Sequence, residues 1–272
     1  MLVVVAGIHG NERAGITAAQ RVLAQLPQLL LGELIVLAGN VGALEMNVRY
    51  RDRDLNRVWG ARPALAHEAE HAEQRELDAA LLAALAGARG PAHLLDLHTT
   101  SAPGIPFLLA GSAPAQARFA SGIPIPAVRG LEEKLEGILT GHFAQRGFVT
   151  LVCEGGQHED AATVESLQAV LWLALKQLGL VAARAETERA WALLDERRAG
   201  LPLAIDVLSR HAMTAEDRFV MEPGFRNIEA VRKGRLLARD VRGEIRAPED
   251  GVVVMPLYQG QGGDGFFWGR AA

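Results

Sequence analysis

Residues 7–12 read Gly-Ile-His-Gly-Asn-Glu and follow directly on an apolar run at 2–6. They set an imidazole, His9, and a carboxylate, Glu12, three residues apart, where a buried strand should end and a helix begin. Gly7 and Gly10 let the backbone turn tightly there, so both side chains can reach one divalent ion. Asp96-Leu97-His98 supplies a third ligand, His98, and completes a set of two histidines and a glutamate of the kind that holds zinc in hydrolases. Three protein ligands leave a fourth position for water, whose pKa the metal lowers to about 7. Asp96 lies two residues before His98, so on a strand it points to the same side and can bond an imidazole N–H, fixing the tautomer. Any one of these residues alone would read as an ordinary polar loop residue. The three together at strand ends favour a metal.

Two further segments carry chemistry. Glu154 follows an expected strand at 149–153 and precedes Gly155-Gly156. A carboxylate beside an activated water can accept its proton and return it to a leaving amine. The run Arg49-Tyr50-Arg51-Asp52-Arg53-Asp54-Leu55-Asn56-Arg57 is dense in guanidinium groups, which recognise carboxylates in a planar, bidentate way and stabilise developing oxyanions. Arg51 and Arg53 read as the solvated, self-paired part of that loop. A competing motif, His67-Glu68-Ala69-Glu70-His71, fits H-E-x-x-H on a helical pattern. Its surroundings are rich in Ala and Glu, with Glu68, Glu70 and Glu73 reading as a solvated face, and no third ligand follows, so it reads as a surface helix. His93 reads as packed or at a rim, His158 as a group within reach of a substrate, and Cys153 as a small core residue. There is no G-x-S-x-G elbow and no phosphate-binding glycine loop.

These residues need strand ends to bring them together. Short apolar runs at 2–6, 34–37, 93–97, 107–110 and 149–153 alternate with helical patterns at 12–30, 63–85, 131–143 and 161–178. That alternation predicts an α/β fold with a mixed, mostly parallel sheet flanked by helices, whose site lies at the carboxyl ends of the strands. After Glu188 the pattern changes to runs at 236–245 and 252–258 broken by Pro248, Gly251, Pro256 and a glycine cluster at 260–265. We therefore expect a catalytic domain at 1–190 and a smaller β-rich domain at 191–272. A chain of 272 residues is long enough for both. A net charge of -4 with both signs interspersed gives no reason to expect nucleic acid or an anionic membrane as partner. No segment has the length and apolarity of a membrane span, and the first apolar run lacks the basic flank of a signal peptide. The single cysteine excludes internal disulfides and fits a reducing, cytoplasmic setting.

In order and rough spacing, Gly7-Ile8-His9-Gly10-Asn11-Glu12, Asp54-Leu55-Asn56-Arg57, Asp96-Leu97-His98 and Glu154-Gly155-Gly156 resemble the succinylglutamate desuccinylase/aspartoacylase family. Its members are zinc amidohydrolases with a carboxypeptidase-like catalytic domain and a C-terminal β domain. The resemblance covers about residues 1–180, and the tail around Ala247-Pro248 and Met255-Pro256-Leu257-Tyr258 is similar to the β domain. It implies that His9, Glu12 and His98 bind one zinc ion per chain and that Glu154 is the general base and acid. It further implies that Arg49 polarises the scissile carbonyl and that Asn56 and Arg57 bind a substrate carboxylate, with Arg146 and Tyr258 as candidates for further specificity contacts. The expected reaction is hydrolysis of the amide of an N-acyl amino acid or similar small amide. A zinc carboxypeptidase acting on short peptides and a non-catalytic metal or metabolite binder are the alternatives. The intact Glu154 argues against the binder, and a β tail able to narrow the cleft favours small substrates. Assembly into a homo-oligomer is left open.

Overall fold

Every residue of the run Leu-Val-Val-Val-Ala, strand β1 (Leu2–Ala6), is buried, as a strand covered on both faces must be. A computed structural model describing residues 1–272 shows how. Leu2, Val4 and Ala6 face a core shared with Ala18, Val22, Phe119, Leu171, Trp172 and Leu194, whereas Val3 and Val5 face a second core with Leu55, Trp59, Leu77, Leu81 and Phe143. The layers are thus helix, sheet, helix.

The first six strands are β1, β2 (Leu34–Ala38), β3 (His93–Thr100), β4 (Phe107–Ala110), β5 (Ala127–Arg129) and β6 (Val149–Gln157). The helices are α1 (Ala14–Gln25), α2 (Val41–Met46), α3 (Glu70–Gly87), α4 (Pro114–Ala120), α5 (Leu139–Ala144), α6 (Ala161–Gln177) and α7 (Ala185–Arg198). Seven more strands complete the chain: β7 (Ala204–Ala212), β8 (Val220–Met221), β9 (Glu229–Val231), β10 (Leu236–Asp240), β11 (Gly243–Arg246), β12 (Gly251–Val254) and β13 (Asp264–Ala271). One ten-stranded sheet runs β2-β1-β3-β6-β4-β5-β7-β13-β12-β9, and β11-β10-β8 form a separate three-stranded sheet. The β1–β2, β1–β3, β3–β6, β4–β5 and β5–β7 pairs are parallel. The β4–β6, β7–β13, β12–β13 and β9–β12 pairs are antiparallel. The fold is the mixed, mostly parallel, helix-flanked α/β sheet expected, with antiparallel strands toward the C-terminus. The expected boundary near 190 falls inside α7, and β7 continues the main sheet beyond it through β5.

Several local expectations are corrected. The stretch 131–143 is not one helix: a 3-10 turn at Glu132–Lys134 is followed by extended Leu135 and Ile138 around Gly137 (φ +68°), and only then by α5. Gly137 must be glycine, because a Cβ there would run into the backbone of Arg57. The helix expected at 63–85 begins at Glu70, so His67 precedes it and the H-E-x-x-H residues do not share a helical face. Glu70 itself is fully buried instead of solvated. Strand β6 carries on through Glu154 to Gln157. Helix α7 carries no apolar period in its sequence, because only Thr187, Ala190 and Leu194 of its fourteen residues are buried.

Candidate active site

The carboxyl ends of β1, β3 and β6 lie side by side, with Val5 opposite Asp96 and His98 opposite Glu154. At its C-terminal end β6 carries one residue more than β3: His98 pairs with Glu154, but Thr100 pairs with Gln157. Such a bulge bends the strand and re-aims a side chain. Gly156 absorbs it at φ +132°, a conformation other residues rarely adopt, and this is what Glu154-Gly155-Gly156 provides.

His9, Glu12 and His98, all buried, place their ligand atoms within 4.8 Å of one another. The Nδ1 atoms of both imidazoles face Glu12, at 2.8 Å from Oε1 for His9 and 3.0 Å from Oε2 for His98. Their Nε2 atoms point the other way, His9 to Asp54 Oδ1 and His98 to Asp96 Oδ2, each at 3.0 Å. A carboxylate on Nε2 holds the proton there and leaves the Nδ1 lone pair for a metal. The backbone N–H of Thr99 donates to Glu12 Oε2 at 3.0 Å and Arg49 Nη1 to Oε1 at 3.2 Å, fixing the carboxylate.

The electrostatics fit a cation. Burial would raise Glu12, but the two imidazoles outweigh it and hold the carboxyl well below its ordinary range. Burial likewise works against charge on His98, yet Asp96 and Glu12 hold it well above its ordinary value. Asp54 stays below the carboxylate range despite its burial, through His9 and Arg49. Three carboxylates, Glu12, Asp54 and Asp96, thus draw positive charge to one point between two imidazoles, and a divalent ion answers the same field. Glu154 completes the picture: burial first, then Glu12 against the pull of His98, pushes its carboxyl up to about 8. Its Oε2 is buried without a hydrogen-bond partner, the condition of a group built to meet water or substrate.

The loop bearing Arg49 to Arg57 is bound from below by Glu70. Oε1 accepts from Arg51 N (2.7 Å) and Asn40 Nδ2 (3.1 Å), and Oε2 from Asp52 N and Arg53 N (3.1 Å each). Arg49 then donates to Glu12 and, through Nη2, to Asp54 Oδ2 at 3.3 Å. Asp54 also caps the 55–57 turn through Asn56 N at 2.8 Å. Asn56 Oδ1 accepts from Leu139 N at 2.8 Å, which leaves its amide NH₂ for the pocket. Arg57 is committed to Asp264, its Nη2 at 3.0 Å from Oδ2, and Arg210 Nε holds the other oxygen.

One pocket is lined by His9, Glu12, His98, Arg49, Asn56, Arg57 and Glu154 together. Every primary site residue expected from sequence is therefore in one place. Three secondary ones are not among its lining. Arg146 is exposed and donates to His142 O. The Tyr258 hydroxyl turns away to Glu222 O and Phe225 N, although its neighbours Leu257 and Gln259 line the pocket. His158 stands behind Thr99, with Nδ1 2.6 Å from Oγ1 and Nε2 3.2 Å from Gln259 Oε1. Arg51 and Arg53 are not paired within their own loop as expected: they face Glu73 and Glu68 of the segment that leads into and begins α3. The roles of Asp54 toward His9 and of Asp264 toward Arg57 are not announced by the local sequence. Asp54 was legible as part of its motif but not as the partner of His9.

Residues 1–168 match the family model of the succinylglutamate desuccinylase/aspartoacylase catalytic domain. The chain belongs to that family. A succinylglutamate desuccinylase of Burkholderia pseudomallei (strain 1710b) is 39% identical over 105 residues, a stretch spanning 36% of this chain and 30% of the relative. The fold is shared with a succinylglutamate desuccinylase/aspartoacylase from Rhodobacter sphaeroides (TM-score 0.73, 19% identity, covering 100% of this chain and 85% of that one). It is shared too with murine aminoacylase 3 (TM-score 0.64, 18% identity, 99% and 94% covered). At such identities the likeness is one of fold. No helix of this family member is long and apolar enough to cross a membrane.

Proposed function

We propose that this family member is a zinc-dependent amidohydrolase that removes the acyl group from an N-acyl amino acid or similar small amide. The observation that carries the reading is the buried His9–Glu12–His98 cluster opening on the same pocket as Glu154, Arg49, Asn56 and Arg57. Two imidazole nitrogens and a carboxylate suit zinc, which when bound supplies Lewis acidity toward the carbonyl and a water acidic near neutral pH. Glu154 takes the proton of the attacking water, for which its buried, proton-seeking carboxyl is suited, and returns it to the departing nitrogen. Arg49, held by Glu12 and Asp54, presents a fixed positive charge to the oxygen that becomes negative. Asn56, through its free amide NH₂, and Arg57, through the N–H groups that its pairing with Asp264 leaves over, bind the substrate carboxylate and so orient the scissile bond. In this reading residues 1–190 carry the chemistry, while 191–272 supply the pocket's far wall through Met255, Pro256, Leu257 and Asp264. The lone, buried Cys153 suits a reducing cytoplasm.

The test is amine release from a panel of N-acetyl and N-succinyl amino acids and short peptides by zinc-loaded protein, with Glu154→Gln in parallel. Turnover of the small amides that falls at least a hundredfold in the variant supports the reading. Turnover that rises with peptide length would replace it by a carboxypeptidase, and zinc binding with no turnover of any member would replace it by a binder.

A further inference from the structure

The pocket holds five carboxylates, Glu12, Asp54, Glu132, Glu154 and Asp264, against two guanidiniums, Arg49 and Arg57. Four of the five have work assigned above. Glu132 does not. It sits in the 3-10 turn between β5 and α5, among the pocket's apolar wall of Leu109, Leu131, Leu135, Ile138 and Phe267. Its Oε1 accepts from Thr140 Oγ1 at 2.9 Å, and its Oε2 makes no hydrogen bond within the protein. It takes part in no ion pair, while both pocket arginines are engaged by other carboxylates. A second carboxylate on a substrate would find no uncommitted cation here. An ammonium would find an uncommitted carboxylate in an apolar surround, where a charge-assisted hydrogen bond is strong.

We propose that Glu132 is a specificity residue of this site and binds the side-chain ammonium of the substrate, so that the preferred substrates are N-acyl derivatives of basic amino acids with a side-chain amino group. The proposal rests on the amidohydrolase reading and names its substrate class. Arg57 and Asn56 then hold the α-carboxylate, and Glu132 the amino group at the other end. Burial pushes the Glu132 carboxyl up to about 7, with the Thr140 hydroxyl opposing and Asp96 and Glu133 reinforcing. The charges acting on it, Asp96 and Glu133, are therefore acidic, while the guanidiniums of Arg57 across the pocket and of Arg210, which bonds Lys134 O in the same turn, are both paired to Asp264. A cation that arrives relieves a site otherwise forced to choose between a proton and an unpaired charge.

The experiment compares Nα-acetyl-ornithine, Nα-acetyl-norvaline and Nα-acetyl-glutamate as substrates, and ornithine, norvaline and glutamate as ligands by calorimetry, with zinc-loaded wild type and Glu132→Gln. The expected result is a kcat/KM for the ornithine derivative on the order of 10- to 100-fold above the other two, a ratio that grows as pH rises through 7 and collapses toward one in the variant. A residue that merely braces the turn would lower all three substrates together and leave the ratio and its pH dependence in place, which would overturn the proposal. Preference for the norvaline or glutamate derivative in wild type would overturn it too, while leaving the hydrolase reading standing. Turnover of none of them, with ornithine still bound more tightly than norvaline, would remove the hydrolase and keep the subsite. The wild-type ratios and affinities decide the matter even if Glu132→Gln folds poorly, and Glu132→Asp, which keeps the charge, then serves as second variant and should retain part of the preference.

Discussion

Glu70→Gln should unfold the arginine loop's support without touching a residue of the pocket. The native carboxylate accepts four hydrogen bonds, three from consecutive backbone N–H groups of Arg51, Asp52 and Arg53 and one from Asn40, at 2.7 to 3.1 Å. Despite its burial those donors hold Glu70 below the usual carboxylate range, and as the first residue of α3 it also meets the helix's positive end. A glutamine in the same place keeps one accepting oxygen and turns an NH₂ toward donors. Two of the four bonds are lost in either orientation, and the two that remain are no longer charge-assisted. At roughly 1.5–3 kcal/mol for a hydrogen bond to a charged group, the expected loss is about 3–6 kcal/mol, a large part of a domain's roughly 5–15 kcal/mol.

The same loop carries Arg49 and Asp54, and Asp54 orients His9. Zinc affinity should therefore fall along with stability, by roughly tenfold or more. Urea unfolding of metal-free protein reads the first effect, and competition with a chromophoric chelator the second. Glu76→Gln, exposed on the same helix, is the control and should stay within about 0.5 kcal/mol of wild type. A Glu70→Gln protein as stable as the control would refute the idea that one buried carboxylate organises the loop. Lower stability with unchanged zinc affinity would uncouple the loop from His9.

Two further outcomes follow from the site. Asp96→Asn keeps the shape but presents an amide to His98 Nε2, so zinc affinity should weaken roughly 10- to 100-fold. Chelator competition that finds the affinity unchanged would show that Asp96 does not set the imidazole. Glu132→Gln should change stability in a pH-dependent way. The carboxyl moves from its ordinary 4.5 up to about 7 on folding, so it favours the folded state below pH 4.5, and that advantage is lost as pH climbs to 7. The variant, having nothing to titrate, should gain up to about 3 kcal/mol on wild type between pH 4.5 and 8, less where solvent reaches the group. Parallel urea curves at both pH values would contradict the burial argument.

The legible part of this site is the part fixed by strands. His9, Glu12, His98 and Glu154 stand at or just beyond the ends of apolar runs, and a parallel sheet brings such ends together whatever lies between them in the chain. The 86 residues from Glu12 to His98 therefore did not hide the cluster. Asp96 was legible for the same reason, through the two-residue repeat of a strand. What stayed hidden depends on where the chain turns back on itself. Glu70 looks like one more acidic residue on a helix rich in Glu, and only the return of residues 51–53 over it makes it a buried acceptor. Asp264 meets Arg57 across 207 residues, because β13 joins the main sheet beside β7, a pairing that no local pattern announces. The 131–143 stretch has helical composition, yet Gly137 and the close backbone of Arg57 break it into a turn and a short helix. That break is what puts Glu132 on the pocket wall instead of on a helix surface. The residues of the His9–Glu12–His98 cluster thus lie where strand periodicity can be read, and Glu132, the proposed specificity residue, lies where it cannot.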